Sequence, residues 1–269
     1  MTKESFVHGS IDKCSSFLQK ALTETGLNGY VIGLSGGIDS SLSASLAVRA
    51  VGADKVLGLF MPFRTSSPQS LEDASLLAVQ LKIKTRRIEI SPMIEAYFDE
   101  ITPELRIRAG NKMARERMSI LFDVANEIGS LVLGTGNRTE ICLGYTTLYG
   151  DSACSVNPLG ELYKTEVRTM ARALSVPERI IAKPPTADLW VDQTDEGEIG
   201  VTYDMIDRIL RRIVDEGITS KALLLEEGFS EENVTRVVEL LNRNAFKRNL
   251  PQTAQLGRKA VPNRVELKS

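Results

Sequence analysis

A run of glycine, serine and aspartate residues lies between an apolar segment and a helical pattern, in the sequence Val31-Ile-Gly-Leu-Ser-Gly-Gly-Ile-Asp-Ser-Ser41. In that setting the backbone N–H groups of Ser35, Gly36 and Gly37 can turn inward, and the dipole of the following helix favours an anion there. Asp39 adds a hard oxygen ligand suited to a Mg²⁺ ion that also holds phosphates. The run lacks the Gly-Lys-Ser/Thr ending of a Walker A loop and the spacing of the dinucleotide fingerprint. It therefore predicts a phosphate cradle of another kind; the alternative is a plain glycine-rich turn that caps a helix.

The composition excludes several other kinds of site. His8 is the single histidine, which argues against Ser-His-Asp hydrolysis in its usual form and against a histidine-rich metal site. Cys14, Cys142 and Cys154 are odd in number and far apart, so they indicate neither a zinc knuckle nor a disulfide framework. We expect reduced, mostly packed thiols in a cytoplasmic protein.

The overall charge points to a small ligand. The 269 residues include 33 Lys and Arg against 35 Asp and Glu, a net charge of −2, which gives no footprint for a nucleic-acid partner. The N-terminal residues are polar and the chain has no long apolar run, so we expect no signal peptide and no membrane partner. An apolar fraction of 42% predicts a compact chain that buries a large core.

The elements that must position these residues alternate between short apolar strands and amphipathic helices. This alternation predicts an α/β fold, a parallel sheet with helices on both faces, followed by a helical C-terminal part. The predicted strands are 30–34, 56–61, 85–90 and 131–134. The predicted helices are 5–25, 40–51, 71–81, 111–128, 166–174, 202–216, 219–226 and 231–244.

Two segments have no clear period. The segment 183–200 contains prolines, glycines and acids, and exceeds the usual connection length, so we expect a functional or mobile loop over 184–200. The tail 251–269 is polar, and we expect disorder at its tip. We therefore expect one domain over 1–269, with its ordered core in residues 1–250.

Beyond the glycine-rich run, several strings in a fixed order resemble the PP-loop ATP pyrophosphatases, and within that group the ammonia-dependent NAD synthetases. Together the strings are highly specific, and they extend from the first helix to about Pro251. They are GLSGGIDSS, GNKMARERM, LGTGNRTE, GYTTLYGD, NPLGELYKTEV, KPPTADLW, QTDEGEIG and NAFKRNLP. The resemblance implies an adenine nucleotide alpha hydrolase-like, Rossmann-like fold.

The resemblance also implies roles for individual residues. Asp39 and Glu140 would hold Mg²⁺, and Arg115 and Lys247 would contact deamido-NAD. Asp151 and Lys164 would be catalytic, Asp151 being the acidic residue that assists ammonia by accepting its proton. The implied ATP-binding residues are Gly33, Leu34, Ser35, Gly36, Gly37, Ile38, Asp39, Ser40, Thr135, Lys164 and Thr186.

A physical argument supports part of this set. Ser35 and Thr135 each follow a predicted strand, so both would lie at the carboxyl edge of a parallel sheet, where open α/β proteins bind ligands. Glu140, five residues beyond Thr135, can reach the same edge. Two carboxylates over a triphosphate require a cation between them.

The implied function is ATP-dependent amidation of deamido-NAD to NAD by free ammonia, the last step of NAD biosynthesis. It would proceed through an adenylate and release AMP and pyrophosphate from a homodimer. About 30 residues precede the first predicted strand, which leaves no room for an N-terminal amidase domain, so we expect free ammonia rather than glutamine as the donor. The chain departs from many family members at Leu148, Ser155 and Phe246, where they carry Lys, Asp and His.

Other interpretations of the chain stay open at this point. The protein could be a tRNA-modifying PP-loop enzyme, although paired cysteines and a basic face are absent from the sequence, or a nucleotide-binding regulator without catalysis. Each site residue also has an ordinary alternative. Lys164 and Arg115 could be solvated, Thr135 could end its strand, Thr186 could cap a turn, Glu140 could pair with Arg138, Asp151 could occupy a turn, and Trp190 could pack within its loop.

Overall fold

A computed structural model describes residues 3–186, 194–249, 251, 253 and 254, with side chains from residue 4 onward. Four parallel strands form one sheet in the order β3-β2-β1-β4. Tyr30 of the central strand β1 pairs with Val56 of β2 and with Leu131 of β4. The strands are β1 (Tyr30–Gly33), β2 (Val56–Phe60), β3 (Lys84–Arg87) and β4 (Leu131–Val132). The predicted α/β fold with a parallel sheet is confirmed.

Helices cover both faces of the sheet. The longer ones match the predicted helices, and the short ones α4, α6, α8 and α9 were not predicted. The helices are α1 (Lys3–Thr25), α2 (Ile38–Val51), α3 (Pro68–Leu81), α4 (Ser91–Glu95), α5 (Arg106–Glu127), α6 (Arg138–Leu143), α7 (Lys164–Ala173), α8 (Glu178–Ile181), α9 (Asp195–Ile199), α10 (Tyr203–Leu210), α11 (Lys221–Glu226) and α12 (Glu231–Arg243). A π-helical turn, Arg211–Asp215, continues α10 to the end of the predicted helix.

Alternating side chains of β1 pack into two hydrophobic cores, one on each face of the sheet. Tyr30 and Ile32 are fully buried in a cluster with residues of α1, α2, α3 and α7, whereas Val31 is buried on the other face with residues of α4 and α5. Because successive side chains of a strand point to opposite faces, a strand covered on both faces is apolar throughout. This is why the continuous apolar runs in the sequence predicted the strands.

The C-terminal helices build a third core of their own. Leu143 of α6, Tyr203 and Ile206 of α10 and Val237 of α12 are buried in this cluster. The cluster places α6, α7 and α10 beside the carboxyl edge of the sheet, next to β1 and β4. The predicted helical C-terminal part is confirmed.

The remaining predictions on the fold have mixed outcomes. The three cysteines are free, Cys142 is buried, and burial raises the pKa of each thiol, as expected for packed thiols. No helix in the described part of the chain is long and apolar enough to cross a membrane. Within the predicted loop 184–200, residues 195–199 form α9. Trp190 and the tip of the tail lie outside the described residues, and the mobility of the loop stays a prediction.

Candidate active site

The glycine-rich run forms a tight turn between β1 and α2. Gly36 has a φ of +76°, and a Cβ there would collide with the carbonyl oxygen of Ser70 in α3, so this position requires glycine. Gly37 caps α2, and its N–H donates to Ser35 Oγ over 3.2 Å, so one of the three amides expected to turn inward has an internal partner. Ser40 Oγ donates to the carbonyl of Gly37 over 3.0 Å. The turn therefore presents the N-terminus of a 14-residue helix at the carboxyl edge of the sheet.

Lys164, the first residue of α7, lies between two carboxylates at this edge. Its Nζ is 2.6 Å from Asp39 Oδ2 and 3.2 Å from Glu140 Oε1, and its side chain is only 3% exposed. The alternatives of a solvated Lys164 and of a surface Glu140 paired with Arg138 are therefore wrong. Arg138 instead pairs with Asp215. Residues from β1–α2, α6 and α7 thus meet in one buried ionic cluster.

Asn137, which is fully buried, positions both carboxylates. Its Nδ2 donates to Asp39 Oδ1 over 2.9 Å. It also caps α6 with Glu140 in a reciprocal capping box, in which its N–H donates to Glu140 Oε2 and its Oδ1 accepts from the N–H of Glu140. One residue, through its side chain and its backbone, thereby fixes the relative position of two acids that lie far apart in the sequence.

Lys164 is positioned through its backbone. Its N–H donates to Thr139 Oγ1 over 3.0 Å, and Thr139 Oγ1 donates to Asp207 Oδ1 over 2.5 Å. The other oxygen of Asp207 accepts from the N–H of Thr165 over 2.9 Å. Because Asp207 belongs to α10, the C-terminal helices hold the start of α7 against the sheet edge.

The cluster carries more negative than positive charge. Burial, with a further contribution from Asp39, raises the pKa of Glu140, although Lys164 opposes the rise. Burial lowers the pKa of Lys164, but Asp39 and Glu140 outweigh it, so the pKa of this ammonium lies above its ordinary value and the group stays charged. Asp195 is a third acid nearby, and burial raises its pKa too. A further cation beside these three acids would lower the raised pKa values of Glu140 and Asp195 and so favour their charged forms.

The donor set suits Mg²⁺ in company with phosphates. Asp39 and Glu140 both place a carboxylate oxygen beside the Lys164 ammonium, so the two acids lie close together. Magnesium commonly takes one or two carboxylates, with substrate phosphates and water as the other ligands. Within the described ranges, no group of three or more His, Cys, Asp or Glu side chains is placed to hold a metal without such help. With two protein carboxylates, a magnesium ion at this site would take its other ligands from phosphate or water oxygens.

A second group of predicted residues lies in the loop after α6. Asp151 accepts from Thr146 Oγ1 over 2.5 Å and from the N–H of Thr147 over 2.8 Å. Lys247 Nζ donates to the carbonyls of Gly144 and Thr146, each over 2.8 Å. Burial lowers the pKa of Lys247, and Asp151 opposes that effect. Asp151 and Lys247 therefore shape the same loop from opposite sides.

One cavity of about 1130 Å³ brings most of the predicted site residues together. Gly36 and Arg115 do not line it: Gly36 packs against α3, and the exposed Arg115 donates from its Nε to the carbonyl of Leu148 over 3.2 Å. The predicted residues that line the cavity are Gly33, Leu34, Ser35, Gly37, Ile38, Asp39, Ser40, Thr135, Glu140, Asp151, Lys164, Thr186 and Lys247.

Comparisons with known proteins agree on one family. The family model described as NAD synthase matches residues 10–251. The chain belongs to the NAD synthase family. It is 46% identical to the NH(3)-dependent NAD(+) synthetase of Fusobacterium nucleatum subsp. nucleatum over 242 residues, which cover 90% of this chain and 93% of that protein.

Solved structures of family members have the same fold. The NMN synthetase of Francisella tularensis superposes with a TM-score of 0.82 at 34% identity, covering 93% of this chain and 99% of that one. The NH3-dependent NAD synthetase of Campylobacter jejuni superposes with a TM-score of 0.77 at 32% identity, with the same coverage of the two chains. The predicted adenine nucleotide alpha hydrolase-like architecture is confirmed, and the family uses ATP.

The three departures from the family pattern lie at the edge of the site. Leu148 accepts the hydrogen bond from Arg115 through its carbonyl, which any residue can supply. Ser155 Oγ accepts from the N–H of Val132 over 3.1 Å, so this residue is tied to β4. Phe246, beside Lys247, is exposed. None of the hydrogen bonds described for these three residues reaches the ionic cluster around Lys164.

Two residues of the site were not predicted from the sequence. Asn137 and Asp195 both lie within the resemblance strings, yet neither was selected as a functional residue. Asn137 had a local signal, since Asn followed three residues later by Glu is a capping box. Asp195 had none: it accepts from Tyr203 Oη over 3.1 Å and from Tyr145 Oη over 3.4 Å, and these partners come together only in the folded chain.

Proposed function

We propose that this protein amidates deamido-NAD to NAD with ammonia, at the expense of ATP, through an adenylate that releases pyrophosphate and then AMP. The observation that carries the proposal is the Asp39–Lys164–Glu140 cluster beside the glycine-rich turn, in one cavity with Asp151. A carboxylate resists ammonia because its oxygen is a poor leaving group. Adenylation supplies a good one, and in this proposal the glycine-rich turn takes the phosphates while Asp151 takes the nitrogen donor.

In the first step a carboxylate oxygen of the nicotinate ring forms a bond to the α-phosphorus, and the bond from that phosphorus to the bridging oxygen breaks. The backbone N–H groups of the turn and the N-terminus of α2 hold the phosphates in line. The Lys164 ammonium is fixed and charged before the reaction, so it can stabilise charge on the departing pyrophosphate without reorganisation.

Asp39 and Glu140 are the residues that would hold Mg²⁺. Bound there, the ion would neutralise charge on the phosphate oxygens as a Lewis acid. Asn137 fixes both acids through its amide and its backbone, so their oxygens keep one separation throughout turnover.

In the second step ammonia attacks the carbonyl carbon of the adenylate, AMP leaves with the electrons of the broken bond, and the nitrogen releases its extra proton to water to give the neutral amide. Ammonium is the dominant species at neutral pH, so a base must take a proton first. Asp151 is the carboxylate proposed for this role. Its acceptor contacts from Thr146 and Thr147 hold it beside the cavity.

The dinucleotide contacts of Arg115 and Lys247 also belong to this proposal, and so does a homodimer. Arg115 lies on the exposed side of α5, outside the cavity, so it can reach the substrate only where the dinucleotide leaves the cavity over α5. Ile107 and Phe122 of α5 and Tyr149 near Arg115 are exposed apolar side chains that a second copy would cover. Size-exclusion chromatography with light scattering tests this point, and a monomer would refute it.

We also propose that residues 1–269 form one NAD synthetase domain that acts in the cytoplasm. Membership of the NAD synthase family disfavours a tRNA-modifying enzyme, and a non-catalytic regulator is excluded if the protein turns over.

A second candidate acceptor is nicotinate mononucleotide. The observation that favours it is the similarity to the structure named as an NMN synthetase, at a TM-score of 0.82 against 0.77 for the NAD synthetase structure. The amidation chemistry would be the same, since both acceptors carry the nicotinate carboxylate. The two differ in whether the adenylyl half needs contacts such as Arg115.

The experiment incubates the protein with ATP, Mg²⁺ and ammonium, and with either acceptor. Equimolar AMP and NAD, with a larger kcat/KM for deamido-NAD than for the mononucleotide, is the expected result, and Asp39→Asn is the inactive control. Release of ADP, or indifference to both acceptors, would refute the proposal. With ¹⁸O in the nicotinate carboxylate, one labelled oxygen should appear in AMP; unlabelled AMP would rule out the adenylate.

A further inference from the structure

A cluster of polar and charged side chains from α3, α8 and the segment after α8 lies next to the part of the cavity that the glycine-rich turn lines. Asp73, which is buried, accepts from Arg179 Nε over 2.5 Å and from Gln69 Nε2 over 3.2 Å. Lys183 Nζ is 3.6 Å from Asp73 Oδ2, beyond hydrogen-bond distance, and donates to Ser70 Oγ over 2.8 Å. The Lys183 ammonium therefore donates its hydrogen bond to a hydroxyl group, with one carboxylate at 3.6 Å. The Lys164 ammonium, by contrast, lies within 3.2 Å of two carboxylates, so the charge of Lys183 is less fully compensated.

The position of Lys183 links it to the glycine-rich turn. Ser70, its hydrogen-bond acceptor, is the residue whose carbonyl packs against Gly36. Lys183, Ser70, Ser35 and Gly37 all line the same cavity. The lysine side chain is 22% exposed and lines this cavity.

The charge around the turn is uneven. On one side Lys164 lies between Asp39 and Glu140, so the carboxylates there already outnumber the ammonium. A triphosphate that enters the turn brings several more negative charges. Lys183, hydrogen-bonded to the serine that packs against Gly36, offers a compact cation for a phosphate oxygen.

We propose that Lys183 is a further substrate-binding residue, which contacts the outer phosphates of ATP and hence the departing pyrophosphate. Ser70 holds its ammonium by a hydrogen bond, and the Asp73 carboxylate lies 3.6 Å from it. The proposal rests on the proposed function for the identity of the nucleotide. The contact itself concerns phosphate binding and can be measured without turnover.

The test compares pyrophosphate and AMP as separate probes, each titrated calorimetrically into the Mg²⁺-supplemented protein. Lys183→Met should weaken pyrophosphate binding about tenfold or more while AMP binding changes less than about twofold, because a charge-assisted contact to the outer phosphates is lost. Lys183→Arg should recover part of the affinity, and Ser70→Ala should give an intermediate loss. The matched control is Lys20→Met, at an exposed lysine of α1.

Unchanged pyrophosphate binding by Lys183→Met would overturn the proposal. An equal loss of AMP and pyrophosphate affinity would also overturn it, because that pattern indicates a distorted turn rather than a lost contact. If Lys183→Met fails to fold, the Lys183→Arg and Ser70→Ala variants test the proposal in the same way, by whether pyrophosphate affinity falls more than AMP affinity. A wild-type protein that binds pyrophosphate through Lys183 but forms no NAD would refute the proposed function and leave the contact supported.

Discussion

Replacing Lys164 with methionine leaves the carboxylates of Asp39 and Glu140 in place without their ammonium partner. Methionine retains most of the lysine stem, so the loss of packing is small. Removing one partner of a buried ion pair costs about 3–5 kcal/mol of unfolding free energy, and proton uptake by Glu140 relieves part of it, so we expect about 3 kcal/mol. At roughly 2–4 °C for each kcal/mol, the melting temperature should fall by about 6–12 °C.

Urea unfolding followed by circular dichroism measures this change. The double variant Glu140→Gln/Lys164→Met should recover at least about 1 kcal/mol, because glutamine removes one uncompensated charge and can still accept from Asn137 in the capping box. Lys20→Met, at an exposed lysine 3.7 Å from Glu24, should change stability by less than about 0.5 kcal/mol. A Lys164→Met protein as stable as the wild type, or a double variant less stable than the single one, would refute the argument.

Three further substitutions probe the parts of the site separately. Asp39→Asn should lower kcat by about 10²–10³-fold with an unchanged circular dichroism spectrum, since it removes charge stabilisation at the phosphates, and a near-normal rate would mean that the metal site is misplaced. Gly36→Ala should raise the KM for ATP about tenfold or more, because of its positive φ and the collision with Ser70, whereas Gly52→Ala, with positive φ but open space, is the control that should leave this KM unchanged. Asp151→Asn should raise the KM for ammonium while the KM for ATP stays constant; an unchanged ammonium KM would remove Asp151 from the nitrogen step.

Local patterns in the sequence predicted the elements well where one element buries a continuous face. The central strand β1 is apolar along its whole length, and its predicted range 30–34 exceeds the observed Tyr30–Gly33 by one residue. By contrast, α6 is six residues long, too short to show a helical period, and its boundary is set by the capping box at Asn137. Short helices of this kind depend on tertiary contacts that no local window contains.

The same contrast between local patterns and tertiary contacts holds for the site residues. The glycine-rich turn is contiguous in sequence, so its position between β1 and α2 could be predicted from residue types alone, and phosphate binding there stays a prediction. The Lys164–Asp39 pair spans 125 residues, and only the resemblance to a family placed the two in one site before the fold was known. Asp195 was missed altogether, because its phenol partners Tyr145 and Tyr203 lie in different elements.

A crystal structure with a non-hydrolysable ATP analogue and Mg²⁺ tests the central claim most directly. The account predicts phosphate oxygens on the backbone N–H groups of the turn at Ser35–Gly37, with Lys164 and a metal held by Asp39 and Glu140 on one side of them. An analogue bound elsewhere in the cavity, with the turn's amides bonded only to protein atoms, would contradict it.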